Sequence, residues 1–331
     1  MEKRAEIKPL KHYRELAFMG FIEVIKNLGE IFKNFKTCKQ HIIDFKPDAI
    51  VLIDYPGFNL RIAKWAKSQN IKVYYYISPK VWAWKENRVH KIIKYVDTLF
   101  TIFPFETAFF KKYNYPVEYV GNPLIDAIHN YKNEQNKELN FKLKNNLSNK
   151  PIIALLPGSR RQEVSTKLPI MLDSTKNLDN YQLVIAGAPS LDLDFYKPFI
   201  ENREATILFG QTYAILENAE AALVTSGTAT LETALFKVPQ VVCYIASPIS
   251  YAIAKRLIKI KFISLVNLIF DKEVVRELIQ YDCNPSLIKE ELNSLLKGGH
   301  KRDLQLKEYD KLIDMLGKGS ASEKVATFIC R

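Results

Sequence analysis

Short runs of uninterrupted apolar residues, each followed by a turn and a helical pattern, limit the folds open to this chain. Asp48-Ala-Ile-Val-Leu-Ile53, Ile152-Ile-Ala-Leu-Leu156 and Val241-Val-Cys-Tyr-Ile245 lack polar alternation. Strands built from such runs are buried on both faces, as in parallel sheets. Further strands are expected at 73–77, 98–103, 117–120, 182–187, 204–209 and 221–225. Helices are expected at 60–68, 87–94, 106–112 and around 168–177. This alternation implies an α/β protein with helices on both faces of parallel sheets. The Asn- and Lys-rich stretch 130–150 reads as a linker. It divides the chain into two doubly wound, Rossmann-like domains, 1–145 and 146–331, facing a cleft. Ligands of such sheets bind beyond the carboxyl ends of the strands. Residues 13–35 carry a helical apolar pattern with no strand before them, so the first domain is expected to be truncated at its amino terminus.

Two turns offer anion-binding chemistry. Leu223-Val-Thr-Ser-Gly-Thr-Ala-Thr-Leu-Glu232 runs from a strand into a helix, whose first N–H groups lack intrahelical partners and point with the positive dipole end toward a ligand. Ser226, Thr228 and Thr230 add hydroxyls, and Gly227 permits close backbone approach. An ordinary N-capped turn uses the same residue types. Leu156-Pro-Gly-Ser-Arg160 offers a second such turn, with Ser159 and Arg160 at a strand end; a guanidinium fork suits diphosphate oxygens.

Charge and cysteine usage narrow the partners. The net charge of +12 favours phosphorylated ligands, anionic membrane surfaces or nucleic acid. No stacking motif or nucleic-acid fold supports the last. The four cysteines (Cys38, Cys243, Cys283, Cys330) are scattered and form no ligand-spaced cluster with the five histidines, so neither a disulfide framework nor a zinc site is expected, as in a reducing cytoplasm. No signal core is present, and no run approaches the roughly 18 apolar residues of a membrane span. A soluble or peripheral protein is expected.

Taken together and in order, Ile53-Asp-Tyr-Pro-Gly-Phe-Asn59, Tyr76-Ile-Ser-Pro-Lys-Val-Trp-Ala-Trp84, Phe103-Pro-Phe-Glu106, the two turns above, and Ser264-Leu-Val-Asn-Leu268 with Glu273-Val-Val-Arg-Glu-Leu278 resemble lipid-A-disaccharide synthase. The resemblance runs from about residue 12 to the end. It implies an inverting glycosyltransferase of the two-Rossmann-domain (GT-B) type, moving a diacylated glucosamine from its UDP ester to 2,3-diacylglucosamine 1-phosphate to give a β-1,6 disaccharide and UDP.

Inversion needs one general base and stabilisation of a departing diphosphate. Asp54 matches the family's catalytic aspartate, although a turn or N-cap aspartate before Pro56 is the bland alternative. Ser159, Arg160, Ser226, Gly227, Thr228 and Thr230 are expected at the UDP-sugar, and Glu232 at the ribose. Asn267, Glu273 and Glu277 are expected to line the UDP-sugar site from on or just before a helix opened by Asp271, the two glutamates sharing a face four residues apart, with a solvated face as the alternative. The acceptor and its acyl chains are assigned to Asn59, Phe18, Met19, Trp82 and Trp84. No Asp-x-Asp motif stands at a strand end, and Asp192 and Asp194 read as loop residues. No metal and no cofactor are therefore expected. A basic helix over 249–260, with Lys255, Arg256, Lys259 and Lys261, suits anionic headgroups, placing the protein at the inner face of the inner membrane.

The chain departs from the family pattern twice. It starts without the family's opening strand and Gly-Glu-Ala-Ser-Gly-Asp-like loop, and it carries Ile245 where a basic residue is usual. Two alternatives follow: a remnant that binds UDP-sugar without turnover, or a related UDP-sugar 2-epimerase.

Overall fold

The structure, a computed structural model, describes residues 28–134, 141–201, 203–247, 251–252, 256, 260–317 and 319–331. Phe18, Met19, Lys255 and Lys259 lie outside them, as do most of the helices expected over 13–35 and 249–260. The chain forms two compact units. One holds the residues up to Pro79 with Arg88–Leu99, and the other holds Lys80–Asn87 with Phe100–Arg331.

The first unit contains α1 (Leu28–Phe45), β1 (Ala49–Ile53), α2 (Pro56–Ser68), β2 (Lys72–Tyr76) and α3 (Val89–Tyr95). β1 pairs in parallel with β2, placing Ile53 opposite Tyr76. α2 starts four residues earlier than the sequence pattern indicates, because Pro56 occupies its first turn, where a fixed φ and a missing N–H cost nothing. Its Leu60, Ile62, Ala63 and Ala66 are buried. Asp97 locks the far end of β2. Its backbone N–H donates to the Val73 carbonyl (2.9 Å), while its carboxylate accepts from the Val73 N–H (2.7 Å) and Lys67 Nζ (2.6 Å).

β3 (Thr98–Thr101) spans the division between the units, and its end pairs in parallel with β4 (Glu118–Tyr119). The first sheet has the order β1-β2-β3-β4. Next come α4 (Pro104–Lys111), α5 (Pro123–Glu134) and α6 (Phe141–Lys144). Residues 130–150 are thus partly helical. Buried Phe141 anchors α6 in an apolar cluster, and Lys142 Nζ donates to the carbonyls of Asn149 and Lys150.

The second sheet comprises β5 (Ile152–Leu156), β6 (Gln182–Gly187), β7 (Ala205–Phe209), β8 (Ala219–Thr225), β9 (Gln240–Tyr244) and β10 (Arg276–Ile279). All are parallel, in the order β10-β9-β8-β5-β6-β7. Ile153, Leu155, Leu223 and Val241 enter one apolar cluster. Ile152, Ala154, Leu156 and Val224 enter the other. Opposite faces of this sheet are therefore both buried, as its unbroken apolar runs predict, whereas β1, expected from the same kind of run to be buried on both faces, leaves Val51 and Ile53 exposed. The covering helices are α7 (Arg161–Ser174), α8 (Leu193–Ile200), α9 (Thr212–Glu217), α10 (Thr228–Leu235), α11 (Leu265–Phe270), α12 (Pro285–Leu295) and α13 (Arg302–Leu316). Asp192 is not a loop residue: it caps α8, accepting the Phe195 N–H (2.9 Å), with Asp194 in the first turn.

The helix expected after Asp271 is absent. α11 stops there in a left-handed residue (φ 50°), and Arg276 to Ile279 extend as β10 beside β9. Buried Val275 and Leu278 explain the difference, because pairing at the sheet edge outweighs a local helical spacing.

The last helix, α14 (Ala321–Ile329), lies against α5 and β3 within the second unit. Phe328 meets Phe100 edge-on at 5.2 Å. The Asp126 carboxylate accepts the Ser320 N–H and the Ala321 N–H (the latter 2.9 Å). Asp126→Ala removes the acceptor for both and is expected to lower stability by about 1–2 kcal/mol. Urea unfolding measures the loss, and faster amide exchange confined at first to residues 321–329 locates it.

Candidate active site

Asp54 leaves β1 under constraint. It and Tyr55 are successive non-glycine residues in the left-handed region, with φ of 46° and 44°, a conformation that costs roughly 1–2 kcal/mol per residue. Three hydrogen bonds hold it. The Asp54 N–H donates to the Tyr76 carbonyl (3.0 Å), while the Asp54 carbonyl accepts from Tyr75 Oη (2.6 Å) and Asn59 Nδ2 (2.7 Å). Asn59 Nδ2 also donates to the Ile53 carbonyl (3.0 Å). The Asn59 amide, expected on the acceptor side, thus braces the turn that carries Asp54. Tyr75 is fully buried, and burial, with Asp54 nearby, pushes its phenol far above the usual range. It remains a hydroxyl donor at any working pH. The Asp54 side chain is exposed.

In the second unit, the turn after β5 is shaped by Glu163. Its carboxylate accepts the Ser159 N–H (3.1 Å) and lies 3.7 Å from Arg160 Nη1. Gly158 has φ 124°, and a Cβ there would sit 2.6 Å from Glu163 Oε2, so any other residue would strain the backbone and displace the Glu163 side chain. Ser190 Oγ donates to the Ser159 carbonyl (3.0 Å). The Arg160 side chain is 60% exposed, a cation beside the first turn of α7.

The turn after β8 divides its expected ligand groups. Gly227, at φ 120°, caps α10, and Thr228 is exposed. Ser226 Oγ donates to the Ile263 carbonyl (3.0 Å). Thr230 is fully buried: its hydroxyl donates to the Gly227 carbonyl (2.8 Å) and accepts the Leu265 N–H (3.2 Å). First-turn threonines readily bond back in this way, so the Thr230 hydroxyl joins α10 to α11 and does not face a ligand. Glu232 is half-buried and accepts from Tyr213 Oη (3.0 Å). Burial raises the Glu232 carboxyl, and the tyrosine bond partly offsets this.

Asn267 is also fully buried. Its amide nitrogen donates to the Val275 carbonyl and Glu277 Oε1 (both 2.8 Å), and its oxygen accepts the N–H groups of Val274 (2.7 Å) and Val275 (2.9 Å). Glu277 additionally accepts the N–H groups of Ile263 and Ser264 (both 2.9 Å) and Ser264 Oγ (2.7 Å). Both side chains are therefore spent on holding residues 263–277. Glu273 stands apart, exposed and 3.3 Å from Arg276 Nη1.

Trp82 is half-buried. Its indole Nε1–H donates to Glu106 Oε1 (3.2 Å), and its ring meets Phe105 edge-on at 4.9 Å. Trp84 is 44% exposed, with Lys85 Nζ 4.2 Å from its ring centroid. Sequence reasoning missed the bracing roles of Tyr75, Glu163 and Glu106. Glu163 and Glu106 each carried a local signal, an acidic residue in the first turn of the helix that follows the strand-end turn.

The chain matches the family described as Lipid-A-disaccharide synthetase over residues 1–328. The lipid-A-disaccharide synthase of Coxiella burnetii (strain CbuK_Q154) is 38% identical over 321 residues, covering 95% of this chain and 84% of that protein. The structure of UDP-GlcNAc 2-epimerase from Neisseria meningitidis bound to UDP-GlcNAc is similar with a TM-score of 0.66 at 15% identity, over 99% of this chain and 87% of that one. The calicheamicin glycosyltransferase CalG4 is similar with a TM-score of 0.56 at 14% identity, over 95% of this chain and 85% of its own. At such identities the structural likeness concerns fold alone: α/β with two parallel sheets, as in GT-B glycosyltransferases.

Removing the Asn267 amide leaves the Val274 and Val275 N–H groups without that acceptor, and takes one donor each from the Val275 carbonyl and Glu277. Asn267→Ala is expected to cost about 3 kcal/mol or more, whereas Glu273→Ala, which breaks only an exposed ion pair, leaves the unfolding midpoint unchanged. Denaturant titration of the two variants checks the contrast.

Proposed function

The chain belongs to the lipid-A-disaccharide synthase family of hexosyltransferases, and from that premise we propose the reaction, the site residues and the place of action. The donor is UDP-2,3-diacylglucosamine and the acceptor is 2,3-diacylglucosamine 1-phosphate. The products are lipid A disaccharide 1-phosphate and UDP. The observation that carries the reading is the family match over residues 1–328, within which the strand-end turns lie. The epimerase alternative rests on fold likeness at low identity and carries no weight of its own.

In this proposal Asp54 accepts the proton of the acceptor's 6-hydroxyl as that oxygen attacks the anomeric carbon. The bond from that carbon to the diphosphate oxygen breaks on the opposite face, giving inversion. The exposed carboxylate and the braced backbone beneath it support the role, because a base fixed in position loses little orientation on reaction. Arg160, the Ser159 turn and the α10 start at Gly227 and Thr228 take the UDP diphosphate, with N–H groups and guanidinium offsetting its charge. Glu232 meets the ribose hydroxyls. Ser226, Thr230, Asn267 and Glu277 act indirectly by fixing the loops, while exposed Glu273 remains available to the donor sugar. Phe18, Met19, Trp82 and Trp84 are assigned to the acyl chains.

Asp54→Asn should lower kcat by roughly a hundredfold to ten-thousandfold, the usual worth of a general base, with UDP affinity by calorimetry almost unchanged. Turnover within a few-fold of the parent removes Asp54 from the role.

Acylated substrates hold the enzyme at a bilayer surface. No helix among the described residues is long and apolar enough to cross a membrane, and the net charge is +12, so the proposed attachment is peripheral, electrostatic and at the inner face. Each basic residue near an anionic surface contributes on the order of 1 kcal/mol within a Debye length. Co-sedimentation with vesicles containing anionic lipid should fall with added salt, and fall further when Lys255, Arg256, Lys259 and Lys261 become Gln. Retention indifferent to both excludes this segment as the contact.

A further inference from the structure

Glu106 is 1% exposed. Three N–H groups converge on its carboxylate. Oε2 accepts from the backbone of Ile102 and Phe103 (both 3.0 Å), and Oε1 accepts from the Trp82 indole (3.2 Å). The backbone donors belong to the turn between β3 and α4. The indole belongs to the Lys80–Asn87 segment, which lies in the same compact unit. Around the bond, the Trp82 ring sits edge-on to Phe105 (4.9 Å) and Phe103 (6.4 Å), and those two rings stack at 5.5 Å. The segment bears exposed Lys80 and the Trp84–Lys85 tip at its far side.

We propose that Glu106 is the positioning residue of this segment: its ionised carboxylate fixes the Trp82 indole and so aims the Trp84–Lys85 tip, and protonation of the carboxylate loosens the tip. An ionised acceptor forms shorter and stronger bonds than a neutral one. Adding a proton weakens the bond to the indole and leaves the new O–H in an aromatic surround. The titratable groups facing Glu106 are Lys80, from the segment itself, and Tyr119, from β4. Burial pushes the carboxyl up to about 7, while the three N–H bonds and Lys80 hold it down from a higher value. The bonded, ionised form is therefore filled as pH rises through about 7 and emptied as pH falls through it. The clasp itself stands on this geometry, whereas its effect on catalysis rests on the transferase reading.

A pH titration of the 15N-labelled chain, read at the indole N–H signals, tests the clasp. There are three tryptophans, and Trp82→Phe identifies the relevant signal by deleting it. The Trp82 signal is expected to move through one transition near pH 7 in the parent and to stay fixed in Glu106→Gln, whose amide would present a donor to a donor. No movement between about pH 5.5 and 8.5, or the same movement in Glu106→Gln, overturns the proposal. In the transferase assay, KM for the acylated acceptor should rise about three- to tenfold in Trp82→Phe, the net worth of one hydrogen bond. Trp82→Phe keeps a ring between Phe103 and Phe105, so it separates loss of the clasp from loss of packing. The parent's KM should rise on acidification through the same transition, and the Trp82→Phe KM should not. An unchanged KM in Trp82→Phe overturns the catalytic part. A parent without transferase activity refutes the transferase reading instead, and the indole titration still decides the clasp.

Discussion

Backbone N–H groups that leave a strand buried on both faces cannot turn to water, and in this protein side-chain oxygens receive them. Glu106 collects the N–H groups after β3, and Glu163 takes the Ser159 N–H after β5. Glu277 gathers those entering α11. Asp97 and Asp126 serve Val73 and the start of α14 in the same way. An unmet buried N–H costs about 1–3 kcal/mol, so Glu106, which takes two buried N–H groups, is as necessary to its turn as the apolar runs are to the strands. The turns between strand and helix are thus braced from within the protein, and Arg160 and Thr228 stand exposed on them.

Much of the fold is legible in the sequence because its strands carry one strong signal. β5 and β6 run over the residues that their unbroken apolar composition indicates. Boundaries fail where two codes overlap. The Pro56-Gly57 pair signals a turn, but a proline in the first turn of a helix is equally natural, and α2 takes that option. Glutamates four apart at 273 and 277 match one helical face, yet positions four apart also share a face in a strand. The neighbouring β9 settles the choice for β10.

The candidate site is legible by position and less so by role. Thr225 to Glu232 does form a strand-to-helix turn, but Thr230 and Asn267 use their polar groups inside the protein. Their partners, Leu265 and Val275, come from segments whose approach no local pattern announces. Glu106 is the extreme case. In sequence it is a plain acid in the first turn of a helix, and its burial arises from Trp82, 24 positions earlier.

The paired left-handed residues at Asp54 and Tyr55 set a limit on improving this protein. A glycine at 55 would relieve the backbone, since φ 44° costs glycine nothing, but it would also remove the ring that stacks on Phe58 at 5.9 Å and free the carboxylate's neighbour to wander. The most stable sequence for this turn is therefore not the one that aims Asp54 best. Selection for thermal robustness alone would drift away from the geometry that the proposed base at Asp54 requires.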